Sequence, residues 1–282
     1  MSTAPQANAE QIALWNDTAG RAWVDTQETL DAVLLPFEKR LVAAVTERKA
    51  QRVLDVGCGT GSTTLALARQ LGKHGTAVGV DISEPMIALA KQRAEAESAP
   101  PRFIVADAQT YAFDDASFDM VVSRFGIMFF DDPVRAFANL RRATAPGGRL
   151  EVIAWRSPAE NPFMTAAERA AAPFVPEMPA RKPDEPGQFA FADRSRVHSI
   201  LEKSGWAEMR FEPLDVECTL PKREIELYIT RLGPLGRILP QLDEKTRARV
   251  VEAVRAAFDP YVHGNEVRFT AACWTIGAKV AQ

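Results

Sequence analysis

Cysteine and histidine are scarce in this 282-residue sequence, with three of each. Cys58, Cys218 and Cys273 are far apart and odd in number, which argues against a disulfide framework. No CxxC pair is present, and His74, His198 and His263 are scattered, so no zinc-ligand spacing exists and no metal is expected. Neither sign of charge dominates. The 34 Lys and Arg against 37 Asp and Glu leave a formal net charge of −3, which argues against a broad nucleic-acid footprint. No apolar run approaches the roughly 20 residues of a membrane span. The opening "MSTAPQANAEQ" has neither the basic nor the apolar region of a signal peptide. There is no repeat and no low-complexity tract. The expectation is a soluble, cytoplasmic protein.

What is present is a regular alternation. After a polar start, residues 9–49 carry a helical pattern of apolar positions, among them Ile12, Trp15, Trp23, Phe37 and Leu41. Strand-like runs then follow at 52–56, 76–82, 102–107, 118–123 and 149–155, with helical patterns at 62–71, 84–97 and 133–144. "PGG" at 146–148 predicts the end of the last of these helices. Strands alternating with helices at this spacing imply parallel pairing through right-handed crossovers. Beyond Trp155 the regularity breaks into a Pro-rich excursion at 157–192. A helix near 194–204 and a strand near 209–218 resume the core, a mostly helical insert follows within 219–266, and a strand-forming run, 267–282, closes the chain. One domain is expected, residues 1–282. In it, 1–49 forms a helical lid, 50–156 a cofactor-binding core, and the two late excursions a cap.

The stretch "RVLDVGCGTGSTT" places an apolar strand directly before glycines at 57, 59 and 61. A dinucleotide fingerprint starting at Gly57 requires glycines at 57, 59 and 62, but position 62 is Ser. Asp55, two residues before the first glycine, would repel a pyrophosphate and favour a ligand carrying an ammonium group. Two more acids, Asp81 and Asp107, close the second and third strands. Asp81 stands 20 residues beyond Gly61, where a carboxylate can accept ribose hydroxyls.

With these motifs in order, "LDVGCGTGSTT", Asp81, "VADAQ" and the fourth strand ending in Ser123, the chain resembles the class I S-adenosylmethionine-dependent methyltransferases. "WNDTAGRAWVDTQ" (15–27) and "RFTAACWTIGAKV" further resemble small-molecule members related to the quinone-biosynthesis type. The resemblance implies a Rossmann-like α/β fold. Its seven-stranded, mostly parallel sheet would run in the order 3-2-1-4-5-7-6, with an antiparallel last strand and helical lid elements. It implies S-adenosylmethionine as cofactor and S-adenosylhomocysteine as product. Cofactor-binding positions would be Trp23, Asp55, Gly57, Gly59, Gly61, Asp81, Ile82, Met86, Asp107, Ala108 and Ser123, with Asp107 on the adenine amino group and Ile82 and Met86 lining the adenine pocket. Cys58 reads as a small residue tolerated between glycines.

The acceptor is less legible. The amino-methylating signature (Asp or Asn, then Pro-Pro and an aromatic) is absent after the fourth strand, where the chain reads "SRFGIMFF". Phe125, Met128, Phe129 and Phe130 suit an apolar, aromatic acceptor methylated on oxygen or carbon. Some relatives place a histidine here; this chain has Ile127 and Met128, leaving His263, Tyr228 and Tyr261 as the candidate bases. A methyltransferase for tRNA or protein, and a cofactor-binding scaffold without catalysis, are the alternatives. Oligomeric state is left open.

Overall fold

A computed structural model describes residues 8–175 and 185–281. The polar start 1–7 and residues 176–184 of the Pro-rich excursion lie outside the described residues. The expected N-terminal helical region is three helices: α1 (Ala9–Asn16), α2 (Thr18–Asp25) and α3 (Gln27–Arg48). The breaks fall at Asp17 and Thr26, whose backbones leave the helical region. The Thr26 hydroxyl donates back to Ala22 O at 2.6 Å, a local bond that competes with continuation of the helix.

The alternating core follows. It comprises β1 (Arg52–Val56), α4 (Ser62–Leu71), β2 (Thr76–Asp81), α5 (Glu84–Ala94), β3 (Arg102–Val105), β4 (Phe118–Arg124), α6 (Pro133–Ala143) and β5 (Thr144–Trp155). The last strand starts five residues before the expected 149, because "PGG" forms an irregular stretch, with Gly147 at φ +76°, that stays bonded to the end of the chain: Gly147 N donates to Val280 O at 3.1 Å. The chain then adds α7 (Pro162–Ala171), α8 (Arg194–Lys203), β6 (Ala207–Pro221), α9 (Ile225–Arg231), α10 (Gly233–Ile238), α11 (Glu244–Ala257), the two-residue β7 (Val262–His263) and β8 (Glu266–Lys279). β6 runs past the expected 218 because β8 pairs with it as far as Pro221 opposite Glu266.

The sheet runs β3-β2-β1-β4-β5-β8-β6, with β7 paired beside β8. β1 to β5 are parallel, and β8 lies antiparallel between β5 and β6. This is the expected 3-2-1-4-5-7-6 arrangement once the short β7 is set aside. From β1 the chain steps one way to β2 and β3, and from β4 the other way to β5. Right-handed crossovers therefore put α4 and α5 on one face and α6 on the opposite one. The order reverses between β1 and β4, the place where open α/β sheets bind ligands. Helices on both faces explain why Val53 and Leu54, Val121 and Val122, and Val152 and Ile153 are all buried on consecutive strand positions. β6, the outer strand, instead alternates exposed charged and inward residues.

The first excursion is tied to the sheet through Trp274 Nε1, which donates to Ala192 O at 3.0 Å, and through Asn161. Asn161, 1% exposed, donates through Nδ2 to Ala272 O and accepts from Ala272 N, both at 2.9 Å, imitating a strand partner for β8. Arg156 N also reaches Ala272 O, so truncating Asn161 strands chiefly the Ala272 N–H. Asn161→Ala is expected to lose about 2–3 kcal/mol. In urea denaturation this appears as a lower midpoint with an unchanged slope. A midpoint within experimental error of wild type would show that the excursion docks without this bond.

Candidate functional site

At the reversal point the β1–α4 turn is built from residues that tolerate a left-handed backbone. Gly57, Gly59 and Gly61 have φ of +66°, +56° and +88°. Gly57 is needed for space as well: a Cβ there would lie 2.5 Å from Gly126 Cα, so two backbones touch where β1 and β4 end. Gly59 has room in front of it, since a Cβ there would meet nothing closer than Met86 Sδ at 3.7 Å.

The turn opens onto a cavity of about 760 Å³. Three acids from three strand ends line it. Asp55, 1% exposed, accepts from the Thr64 hydroxyl at 2.6 Å through Oδ2, while its Oδ1 has no partner. Burial pushes its pKa up to about 7, against the lowering effects of the Thr64 bond and the Arg124 charge. Asp81 accepts from Gly59 N at 2.8 Å and Ser83 N at 2.9 Å, which clamps the glycine turn to the end of β2. Asp107 accepts from Gln109 N at 2.9 Å and Asn8 Nδ2 at 3.1 Å through Oδ1, and its buried Oδ2 is unpartnered. Burial raises the pKa of both. Two buried carboxylate oxygens without donors, on residues that line one cavity, fit a ligand that brings an ammonium group and an exocyclic amine.

Of the residues singled out in the sequence, Trp23, Asp55, Gly57, Gly59, Asp81, Ile82, Met86, Asp107 and Ala108 line this cavity together. Gly61 and Ser123 do not. A Cβ at Gly61 would meet Phe103 Cζ at 2.8 Å and Ala90 Cβ at 2.9 Å, so this glycine serves the packing of α4. Ser123 Oγ donates to Val56 O at 2.7 Å and accepts from Gly126 N at 3.1 Å, holding the β1 and β4 ends together from behind. Cys58 is buried, and burial drives its thiol pKa well up.

The N-terminal helices are pinned beside the three acids. Ser83 Oγ donates to Trp15 O at 2.6 Å, and Asn16 bridges Ile82 O (2.9 Å) and Glu84 N (2.8 Å). Asn8 exchanges backbone-to-side-chain bonds with Asp131 at 2.9 and 2.8 Å while also contacting Asp107. Trp15 sets its ring edge-on to Trp23 and Phe129. Asn8, Asn16 and Gly126 carry no local sequence signal, since their partners are distant in the chain.

The other side of the same cavity is aromatic. Phe125, Met128, Phe129 and Phe130 line it with Trp155, Phe163 and Phe269. Phe163 stacks on Phe269 with centroids 3.7 Å apart, and Phe125 stacks on Trp155 at 4.4 Å. Of the three candidate bases, only Tyr228 lines the cavity; its hydroxyl lies 3.7 Å from Met164 Sδ. Burial drives its pKa upward, so at neutral pH it is a donor and not a base. His263 is exposed on β7, away from this wall.

Comparison with known proteins agrees with this arrangement. A methyltransferase domain family matches residues 53–148. A demethylmenaquinone methyltransferase from Thermus thermophilus is 37% identical over 129 residues, a segment that spans 46% of this chain and 58% of that protein. One from Renibacterium salmoninarum is 28% identical over 73% of this chain and 87% of its own length. The Bacillus YcgJ crystal structure superposes with a TM-score of 0.57 at 17% identity, covering 87% of this chain and 98% of that one, which is a likeness of fold. With the strand order, the glycine turn and the three acids, the chain is thus similar to methyltransferase domains over residues 53–148 and to the two quinone-biosynthesis methyltransferases over the spans given.

Proposed function

We propose that this protein methylates a small, apolar organic acceptor, aromatic in character, on oxygen or carbon. The observation that carries the reading is a single cavity holding both the three strand-end acids and an aromatic wall. The bound cofactor supplies an electrophilic methyl carbon on a sulfonium. The chain's own work is then binding, alignment and exclusion of water. Asp55 Oδ1 takes the ammonium group, Asp81 the ribose hydroxyls and Asp107 Oδ2 the adenine amine. Ile82, Met86 and Ala108 flank the base, and Trp23 closes over it from the lid. The excursions after β5 and β6 cap the acceptor, with Phe163 and Tyr228 over it. The Tyr228 hydroxyl offers a hydrogen bond to an acceptor oxygen. Two relatives named demethylmenaquinone methyltransferases favour a quinol or phenol of this size.

Thermal melts with S-adenosylhomocysteine, S-adenosylmethionine and NAD test the cofactor half. Ligand at about one hundred times its dissociation constant adds about 2.7 kcal/mol, a rise of several degrees. The expected result is a rise with the adenosyl ligands alone, followed by transfer of labelled methyl to simple naphthols or naphthoquinols. A rise with NAD alone would overturn the cofactor assignment, and transfer only to polar acceptors would overturn the acceptor class. No helix among the described residues is long and apolar enough to cross a membrane, so such an acceptor would reach the cavity from solution or from a membrane surface.

A further inference from the structure

Arg124, the last residue of β4 and the first of the stretch "RFGIMFF", lines the cavity, although the sequence assigns no role to its side chain. Among the described residues its only hydrogen bond is a long one, Nη1 to Leu34 O at 3.5 Å, and it forms no ion pair. The charged groups facing it are Asp31, Glu38, Asp55 and Arg93. Each acid is engaged elsewhere: Asp31 with Arg93 at 2.6 Å, Glu38 with the Ser62 hydroxyl, and Asp55 through Oδ2 with Thr64. Burial pulls the Arg124 pKa downward, the direction expected of a cation short of partners.

The backbone holds this side chain where it is at a conformational cost. Consecutive strand residues point to opposite faces, yet Arg124 reaches Leu34 O and Phe125 packs on Phe37 at 5.0 Å, both on α3. Phe125 achieves this with φ +65°, a left-handed conformation rare for a bulky residue. The chain thus keeps both a guanidinium and an aromatic ring on the α3 side, beside Asp55 with its free oxygen.

We infer that Arg124 is an anion-binding group of the cavity, positioned to pair with a ligand carboxylate next to the ammonium site at Asp55. The inference rests on the proposed cofactor reading, under which the carboxylate is that of the cofactor's amino-acid end; an acidic acceptor is the other source of the same chemistry. Arg124 then acts as a specificity determinant, since a planar fork pairs with a carboxylate where lysine would present a point charge.

The test compares wild type, Arg124→Gln and Arg124→Lys for binding of S-adenosylhomocysteine and S-adenosyl-3-thiopropylamine, which keeps the ammonium and lacks the carboxylate. Wild type is expected to prefer the former by about 10–100-fold, as for a lost charge-assisted bond. Arg124→Gln should bring that preference below about threefold, with Arg124→Lys between. Affinity for the decarboxylated ligand serves as the measure of intact fold. A second arm compares 4-hydroxybenzoate with phenol in the presence of S-adenosylhomocysteine. If only that preference collapses in Arg124→Gln, the anion site stands and serves the acceptor. If neither preference changes, the inference is overturned while the cofactor reading survives. If wild type binds no adenosyl ligand, both fall.

Discussion

Asp55→Asn is expected to weaken S-adenosylhomocysteine binding by about 100-fold and, at pH 8, to raise the melting temperature of the ligand-free protein. Both effects come from one buried carboxylate. Its pKa in the folded chain is about 7 against 3.8 for the free side chain, so the folded state holds the proton more tightly than the unfolded state. Stability contributed by that proton is therefore full below about pH 4 and is lost as pH rises to 7. Above pH 7 the ionised group is a standing burden of up to about 4 kcal/mol, which the neutral amide removes. Binding runs the other way. The cofactor's ammonium needs the ionised carboxylate, so wild-type affinity should rise about tenfold between pH 6 and 8 and then level off. Calorimetric titration across that range checks the sign, and Asp55→Asn should flatten the profile. A wild-type profile already flat, or an Asn variant less stable at pH 8 than wild type, would show that Asp55 is not a buried, ligand-facing acid.

Gly126→Ala should be strongly damaging for a single added methyl, costing about 3 kcal/mol and lowering the melt by roughly 6–12 °C. The reason is space alone. Gly126 has φ −82°, open to any residue, but a Cβ would stand 2.6 Å from both Gly57 Cα and Val56 O. Backbone cannot yield as a side-chain tip would, so the β1–α4 turn must shift, and cofactor affinity should fall more than tenfold with it. Gly59→Ala is the informative contrast. It has the unfavourable φ of +56° but open space, and should cost only about 1 kcal/mol of stability. Chemical denaturation of the pair ranks crowding against conformational strain. If Gly59→Ala proved the more destabilising, the close approach of β1 and β4 would not be what limits this turn.

The core of the fold is legible because its determinants are local. Apolar strand, glycine turn and helix follow one another within 52–71, and an acid stands within two residues of the end of each of the first three strands. Spacing does not tell which side of the turn a residue faces. It reads Gly61 and Ser123 together with the other motif residues, although Gly61 packs α4 against Phe103 and Ser123 braces β4 against Val56, neither lining the cavity. The sequence singles out the stretch that Arg124 opens but not the direction of its side chain, for a related reason. Strand alternation says nothing of a residue whose neighbour has a left-handed φ, and that φ is imposed by packing on Phe37 and Trp155. Asn8 and Asn16 bond to residues more than sixty positions away, with no periodic pattern to announce them. The late helices do carry such signals, Gly233 and Pro234 opening α10 and Pro240 and Asp243 preceding α11, but reading 219–266 as one mostly helical insert leaves them unused.

The pinned N-terminal helices also set a clock. Anything lodged between Asp81 and Asp107 shares its enclosure with Trp15, Trp23 and Asn8. The helices carrying those side chains are fastened by the Ser83, Asn16 and Asp131 bonds. Under the proposed cofactor reading, departure of a spent adenosyl product is then expected to wait on the undocking of a helix pair, a microsecond-to-millisecond event. Rapid-mixing methyl transfer would then show a first cycle faster than those that follow.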